Sequence, residues 1–276
     1  MIDAHVHIWD LSRGETLIAL QQFPQLTGCE FLPADMEQML QDTGATSAVL
    51  VHGPATQAHT EFCLSLARRH ESILSVIGWV DARGSDPVAA LRSYRDNPDF
   101  RGIRLTPMLD DDPQDYLCSD GVRALAIESG RLGLVLEVLA PPELLWAVSD
   151  LCEQAPDTDV VIAHFGLPEI DGDFDFWSDA MQQLAQCANT RVKVSGLPVR
   201  GGNPQDRIIM AAHVDALLEH FGTARLLYAS NWPVMTAITS PATWQEDLQI
   251  LLQSLSDAQR RAIFHENALR LYGPTD

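Results

Sequence analysis

The sequence predicts an α/β chain closed into one (β/α)8 TIM barrel. Three observations lead there. Eight short apolar runs alternate with longer helix-like stretches from end to end. They recur at roughly the 30 residues that a β–α–β unit needs. Several are apolar almost without interruption, as in Leu134-Val135-Leu136 and Val160-Val161-Ile162, the pattern of parallel strands buried on both faces.

The expected strands cover residues 2–9, 47–52, 73–80, 102–106, 133–139, 159–164, 191–195 and 225–230. Helix signals fill the gaps. A helix over 35–41 follows Pro33, and Gly44 stands just past it, where a C-terminal cap belongs. A longer helix over 207–221 stops at Gly222. Ser256 and Gln259 have capping-box spacing: the hydroxyl takes an orphan backbone N–H and the amide reaches back. Gly273-Pro274 ends the last helix. No repeat, low-complexity tract or long linker interrupts the pattern, so one domain takes residues 1–276. The alternative, a doubly wound open sheet, carries a Gly-rich phosphate loop after its first strand. Here residues 10–15 hold a single glycine.

Composition narrows the function. At 276 residues and 46% hydrophobic content the chain can bury a full core without staples. Its net charge of -20 repels nucleic acid and anionic membrane surfaces. The partner expected is therefore a small-molecule substrate; assembly as a homodimer is left open. Five scattered cysteines without a C-x-x-C read as buried thiols in a reducing compartment. No signal peptide and no apolar run of about 18 residues is evident. The expected location is the cytoplasm.

In such a barrel the site lies where strand C-termini meet. Polar residues ending strands are therefore the candidates. Asp3-Ala-His5-Val-His7 ends the first. Residues two apart on a strand share a face, so His5 and His7 project together, able to bind one divalent ion or to serve as hydrogen-bonded structural histidines.

Seven segments carry a wider likeness. They are Ile2-Asp-Ala-His-Val-His-Ile-Trp9, Gly78-Trp-Val-Asp81, Arg101-Gly-Ile-Arg104, Val161-Ile-Ala-His-Phe-Gly-Leu-Pro168, Val192-Lys-Val-Ser-Gly-Leu197, Arg225-Leu-Leu-Tyr-Ala-Ser-Asn-Trp-Pro233 and Asn267-Ala-Leu-Arg-Leu-Tyr-Gly273. In this order and at this spacing the chain resembles the amidohydrolase-related TIM-barrel hydrolases of the amidohydrolase 2 type. Within them it is most similar to the branch of sugar-acid lactonases and 2-pyrone-4,6-dicarboxylate lactonase. The resemblance implies that His164 faces the site as metal ligand or hydrogen-bond donor. Ala163 stands where the family usually has an acid, so a partner of that histidine is missing. It also implies a carboxylate after strand eight, in S-D-W-P, that deprotonates the attacking water. This chain reads Ser230-Asn231-Trp232-Pro233. An amide has the shape of that carboxylate but accepts no proton at neutral pH. Three readings follow: altered chemistry with another base such as Glu137 or a histidine, a barrel that binds without turnover, or an introduced substitution. Some relatives carry S-N-[FW]-P, which favours the first.

The other strand ends complete the list. Glu137 can join His5, His7 and His164 around a zinc or manganese ion, hold substrate hydroxyls, or pair with Arg104 or Lys193. Arg104 and Lys193 can polarise a carbonyl oxygen or hold a carboxylate. Ser195 lacks the companions of a nucleophile. It stands with His52, Trp79, Glu137 and Trp232 as a substrate-contact candidate, although packing suits Trp79 as well. The remaining histidines read as surface or packing residues. The expected reaction is hydrolysis of a small lactone by activated water. A metal, if bound, lowers the pKa of water toward ~7. Without one, the histidines with Arg104 and Lys193 stabilise the oxyanion. The catalytic set is thus Asn231, His164, Lys193 and Arg104. Few cations end strands, although Arg200 could reach in from a loop, so a neutral sugar lactone suits the mouth better than a dianionic pyrone. Decarboxylation by the same superfamily is the other chemistry to test.

Overall fold

β1 (Ile2–Val6) opens a sheet of eight strands. It is followed by β2 (Ser47–Val51), β3 (Ile73–Gly78), β4 (Phe100–Leu105), β5 (Val135–Val138), β6 (Val160–Ile162), β7 (Thr190–Val194) and β8 (Leu226–Tyr228). Neighbours in sequence are neighbours in space, and each pair is parallel. The structure is a computed structural model that describes residues 1–14, 23–197 and 203–274.

A helix returns the chain after every strand. These are α1 (Pro33–Thr43), α2 (Gln57–Ala67), α3 (Pro87–Arg92), α4 (Asp120–Arg131), α5 (Leu145–Gln154), α6 (Phe174–Leu184), α7 (Pro204–Phe221) and α8 (Pro241–Leu251). Local chemistry sets their ends. Pro33, Pro87, Pro204 and Pro241 each open a helix, where the absent N–H costs nothing. Gly44 caps α1 in the left-handed conformation at φ 68°. Ser256 and Gln259 form the expected capping box ahead of α9 (Asp257–Arg261). α10 (Asn267–Tyr272) closes the fold. No described helix is long and apolar enough to cross a membrane.

Alternate strand residues serve different cores. Ala48, Leu50, Ile103, Leu136 and Ile162 pack outward against the helices. Val49, Val51, Ile77, Val135, Val161 and Leu227 form a smaller inner cluster with Leu271 and Tyr272 of α10. Such branched side chains each contribute about 1.5–3 kcal/mol when fully buried. With apolar layers below, the polar inward residues Arg104, Glu137 and Lys193 sit higher, toward the strand C-termini.

Closure between β8 and β1 is made partly by a side chain. The Asn231 N–H donates to the His5 carbonyl (3.0 Å) and the His7 N–H to the Trp232 carbonyl (2.8 Å). Between them the Asp3 carboxylate accepts from the Ser230 N–H (2.9 Å) and the His5 N–H (3.2 Å). Asp3 thus replaces ladder bonds at the seam, and burial pushes its carboxyl up to about 6.

The strands are shorter than the apolar pattern suggests. Trp9, His52 and Val80 lie beyond their strand ends, and β4 starts at Phe100, two residues before the expected position. His164 does not end β6, which stops at Ile162. His164, Phe165, Gly166 and Leu167 all have positive φ, and a left-handed run cannot continue an extended strand.

Candidate active site

The barrel mouth gathers side chains from β1, β4, β5 and β7 and from the segments after β6 and β8. His5 and His7 face each other, Nε2 to Nε2, at 3.1 Å. Below them the Lys193 Nζ lies 3.2 Å from His5 Nδ1 and 2.5 Å from Glu137 Oε1. The Tyr272 hydroxyl also donates to Glu137 Oε1, at 2.7 Å. Lys193 is the only lysine in the chain, and it is fully buried.

Donor-only and acceptor-only partners constrain these rings. A carbonyl can only accept, so His7 Nδ1–H donates to the Val51 carbonyl at 2.9 Å and His7 Nε2 is left as an acceptor. His5 stands between two donor-only cations, Lys193 at Nδ1 and Arg104 at Nε2, and a neutral ring can accept from one of them. Burial lowers His5 well below the usual histidine range, reinforced by the Lys193 charge. Burial and then Arg104 lower His7 to about 3. Both rings are neutral at pH 7. Burial also lowers Lys193 to about 8, against the pull of Glu137.

Arg104 is held by its neighbours across the sheet. Its Nη2 donates to the His52 carbonyl (2.6 Å), and Nη1 lies 3.3 Å from His5 Nε2. The His52 ring touches the Arg104 and Pro54 carbonyls. Burial lowers Arg104 to about 10, opposed by Glu137, so it remains cationic at neutral pH.

His164 owes its place to strained backbone. At φ 54° it sits in a turn, and its Nδ1 meets the Ser195 Oγ at 2.8 Å. Ser195 thus takes the partner position that Ala163 leaves empty. Gly196 makes room: a Cβ there would come within 2.8 Å of the imidazole, and its own φ is +70°. Burial, then Arg104 and Lys193, lowers the His164 pKa well below its ordinary value. Asn231 is also left-handed, at φ 58°, a conformation Asn tolerates better than most residues. Its Oδ1 is buried without a hydrogen-bond partner.

His7, Arg104, Thr106, His164 and Asn231 line one cavity of about 440 Å³, within the size range of small-molecule sites. The other sequence candidates stand elsewhere. Glu137, Lys193, Ser195 and His52 are buried away from that surface: Ser195 and His52 touch the lining residues His164 and Arg104, whereas Glu137 and Lys193 pair with each other. Trp79 does not line the cavity; it is half-buried, its N–H on the Thr60 hydroxyl. Trp232 lines a separate surface groove with Phe31 and Glu30. Arg200 lies outside the described residues. Thr106 and Tyr272 went unnoticed in the sequence. Thr106 directly follows β4, the position that marked the others.

The four expected metal ligands come together around His5, whose ring centroid lies 4.4 Å from that of His164 and whose Nδ1 lies 4.0 Å from Glu137 Oε2. The 3.1 Å between the His5 and His7 Nε2 atoms is about the separation of two nitrogens on one tetrahedral zinc. Among the described residues, however, no group of three or more His, Cys, Asp or Glu could hold an ion. The Arg104 guanidinium occupies the space beside His5 Nε2, and Glu137 Oε1 is taken by Lys193 and Tyr272. The donor set described does not fit a divalent centre.

A (β/α)8 barrel that presents an arginine, two histidines and an amide on one mouth cavity is built as an enzyme of the barrel-hydrolase class. The chain belongs to the amidohydrolase family, whose sequence model matches residues 2–273, and is a hydrolase of that family. It is 33% identical over 235 residues to an L-fucono-1,5-lactonase of Burkholderia ambifaria, covering 84% of this chain and 80% of the relative. Two solved structures share the fold. One is an amidohydrolase from Burkholderia multivorans, crystallised with HEPES and separately with zinc. It has TM-scores of 0.90 and 0.87, 24% identity and 99% coverage of both chains. The other is a probable 2-pyrone-4,6-dicarboxylic acid hydrolase from Acinetobacter baumannii with citric acid bound, with TM-score 0.76, 17% identity and 98% coverage of both chains.

Proposed function

We propose that this hydrolase opens a small lactone with an activated water, using its own side chains. The observation that carries the reading is the convergence of Arg104, His164 and Asn231 on one cavity. The likeness to the Burkholderia ambifaria lactonase supports the substrate class. The five cysteines are free thiols, which suits the cytoplasm.

The lactone carbonyl lies against Arg104, whose cation stabilises the oxyanion as water adds. Asn231 cannot take a proton, but its unpartnered Oδ1 can accept one hydrogen of the water and aim it. His164, neutral and with Nδ1 donating to Ser195, offers Nε2 to the other hydrogen. Water oxygen bonds to the carbonyl carbon as its proton passes to His164. The ring C–O bond then breaks, and the departing alkoxide takes that proton from His164. The product is the open hydroxy acid. Lys193 sits beneath His5 and acts through it, orienting the His5–His7 pair.

The test is turnover of a lactone panel by proton release, for the unmodified chain, Asn231→Asp and His164→Gln. Activity that falls about 10²–10⁴-fold in His164→Gln supports this assignment. Silence in the unmodified chain with activity in Asn231→Asp would instead favour binding without turnover, a second reading prompted by the amide.

A further inference from the structure

The cavity lining is chemically uneven. Arg104, His164, His7 and Asn231 are its polar group, and Phe23, Met108, Leu109, Leu139, Met235 and Ile238 line it with large apolar side chains. Met108 and Leu109 are 39% exposed, large apolar side chains left uncovered at the rim. They sit on the short turn Pro107–Leu109 directly after β4.

A densely hydroxylated ligand needs a donor or acceptor for each hydroxyl. Beyond the reacting group, the described lining offers little. Thr106 is its single hydroxyl, and its Oγ1 has no partner. Arg104 is its single lysine or arginine and is committed to the carbonyl. Several hydroxyls against the apolar side chains would be desolvated unpaired. The space also exceeds a bare ring. At the roughly 30 Å³ a water takes in the liquid, a cavity of about 440 Å³ holds on the order of 15 water-sized groups, and a simple six-membered lactone fills about half.

We infer that the molecule this cavity takes carries an alkyl or aryl arm of several carbons, packed on Met108, Leu109, Leu139 and Ile238. The inference rests on the lactonase reading for its polar group: the substrate is an arm-bearing lactone rather than a polyhydroxylated one.

The experiment measures kcat/KM for δ-lactones carrying hydrogen, methyl, propyl or pentyl beside the ring oxygen, with glucono-δ-lactone as the hydroxylated comparison. In parallel, calorimetry gives the Kd of the matching non-hydrolysable lactams. The expected result is a rise of up to about fourfold per buried methylene, with the hydroxylated lactone poorest. Leu109→Gln, at the exposed rim, and Ile238→Thr should flatten that rise. Fastest turnover of glucono-δ-lactone with a flat alkyl series would overturn the inference and leave the lactonase reading standing. If no lactone turns over but lactam affinity climbs with arm length, the arm is upheld and the hydrolase assignment falls. Flat lactam binding without turnover defeats both.

Discussion

Two polar layers lie one above the other in this barrel, and they behave differently. The lower one, Lys193 with Glu137 and Tyr272, is sealed from solvent, its charges facing each other. The upper one, Arg104 with His164 and Asn231, borders the cavity and keeps groups in reserve, notably the unpartnered Asn231 Oδ1. The same strands supply both: β4 and β7 carry Arg104 and Lys193 at inward positions, yet only Arg104 reaches the surface. A charge at a strand end is therefore not yet a charge on the substrate. The lower layer holds His5 from below; the upper layer is left to meet a ligand.

Acid should separate the layers most strongly. Below pH 6.5 the unfolded chain protonates His5, His7, His52 and His164, while burial keeps the folded rings neutral, His7 down to about 3. The unfolded state then binds more protons, so stability falls as pH drops, by up to about 1.4 kcal/mol per histidine per pH unit. Asp3 acts in the opposite sense. With a folded pKa of about 6 it holds its proton between pH 6 and 3.8, which favours the folded state there. Four histidines outweigh one carboxyl. Denaturant unfolding at pH 7.5, 6.5 and 5.5 should show a steep loss below 6.5; a flat profile would mean that the rings are not held neutral.

Lys193→Met attacks the lower layer alone. It leaves Glu137 as a buried, unpaired charge, which should cost about 3–5 kcal/mol, read by chemical denaturation. Adding Glu137→Gln should recover part of that loss without restoring activity, because His5 still lacks its donor. Full activity in the double variant would show that the lower layer is merely structural.

Arg104→Gln attacks the upper layer. It should lower kcat by about 10²–10³-fold, the usual cost of one oxyanion donor. An effect on KM alone would move Arg104 from transition state to binding.

Gly196→Ala should be the mildest. It forces a Cβ into the His164 ring and adds strain of roughly 1 kcal/mol at positive φ. Activity should fall about tenfold alongside that loss of stability, since a small misplacement of a reacting group is enough to slow catalysis. Unchanged kcat would mean that the ring position is not critical.

Much of this was legible in the chain. Eight apolar runs at barrel spacing identified the strands, because parallel strands buried on both faces tolerate few polar residues. His5 and His7 declared themselves by a two-residue spacing. Strand ends were read less well: His164 seemed the last residue of β6, since a left-handed turn leaves no mark at a non-glycine residue.

Sequence by itself determined the barrel, its family and the polar residues available at the mouth, because periodicity and spacing act locally and repeat. Only tertiary structure decided their ranks. It put Lys193 beneath His5, turned Glu137 toward Lys193 and Tyr272, gave Ser195 to His164 and left Asn231 facing the cavity. Those pairings join residues far apart in the chain, such as Glu137 and Tyr272. They depend on strand register and on which side chain can satisfy a buried charge, neither of which is written in any one segment.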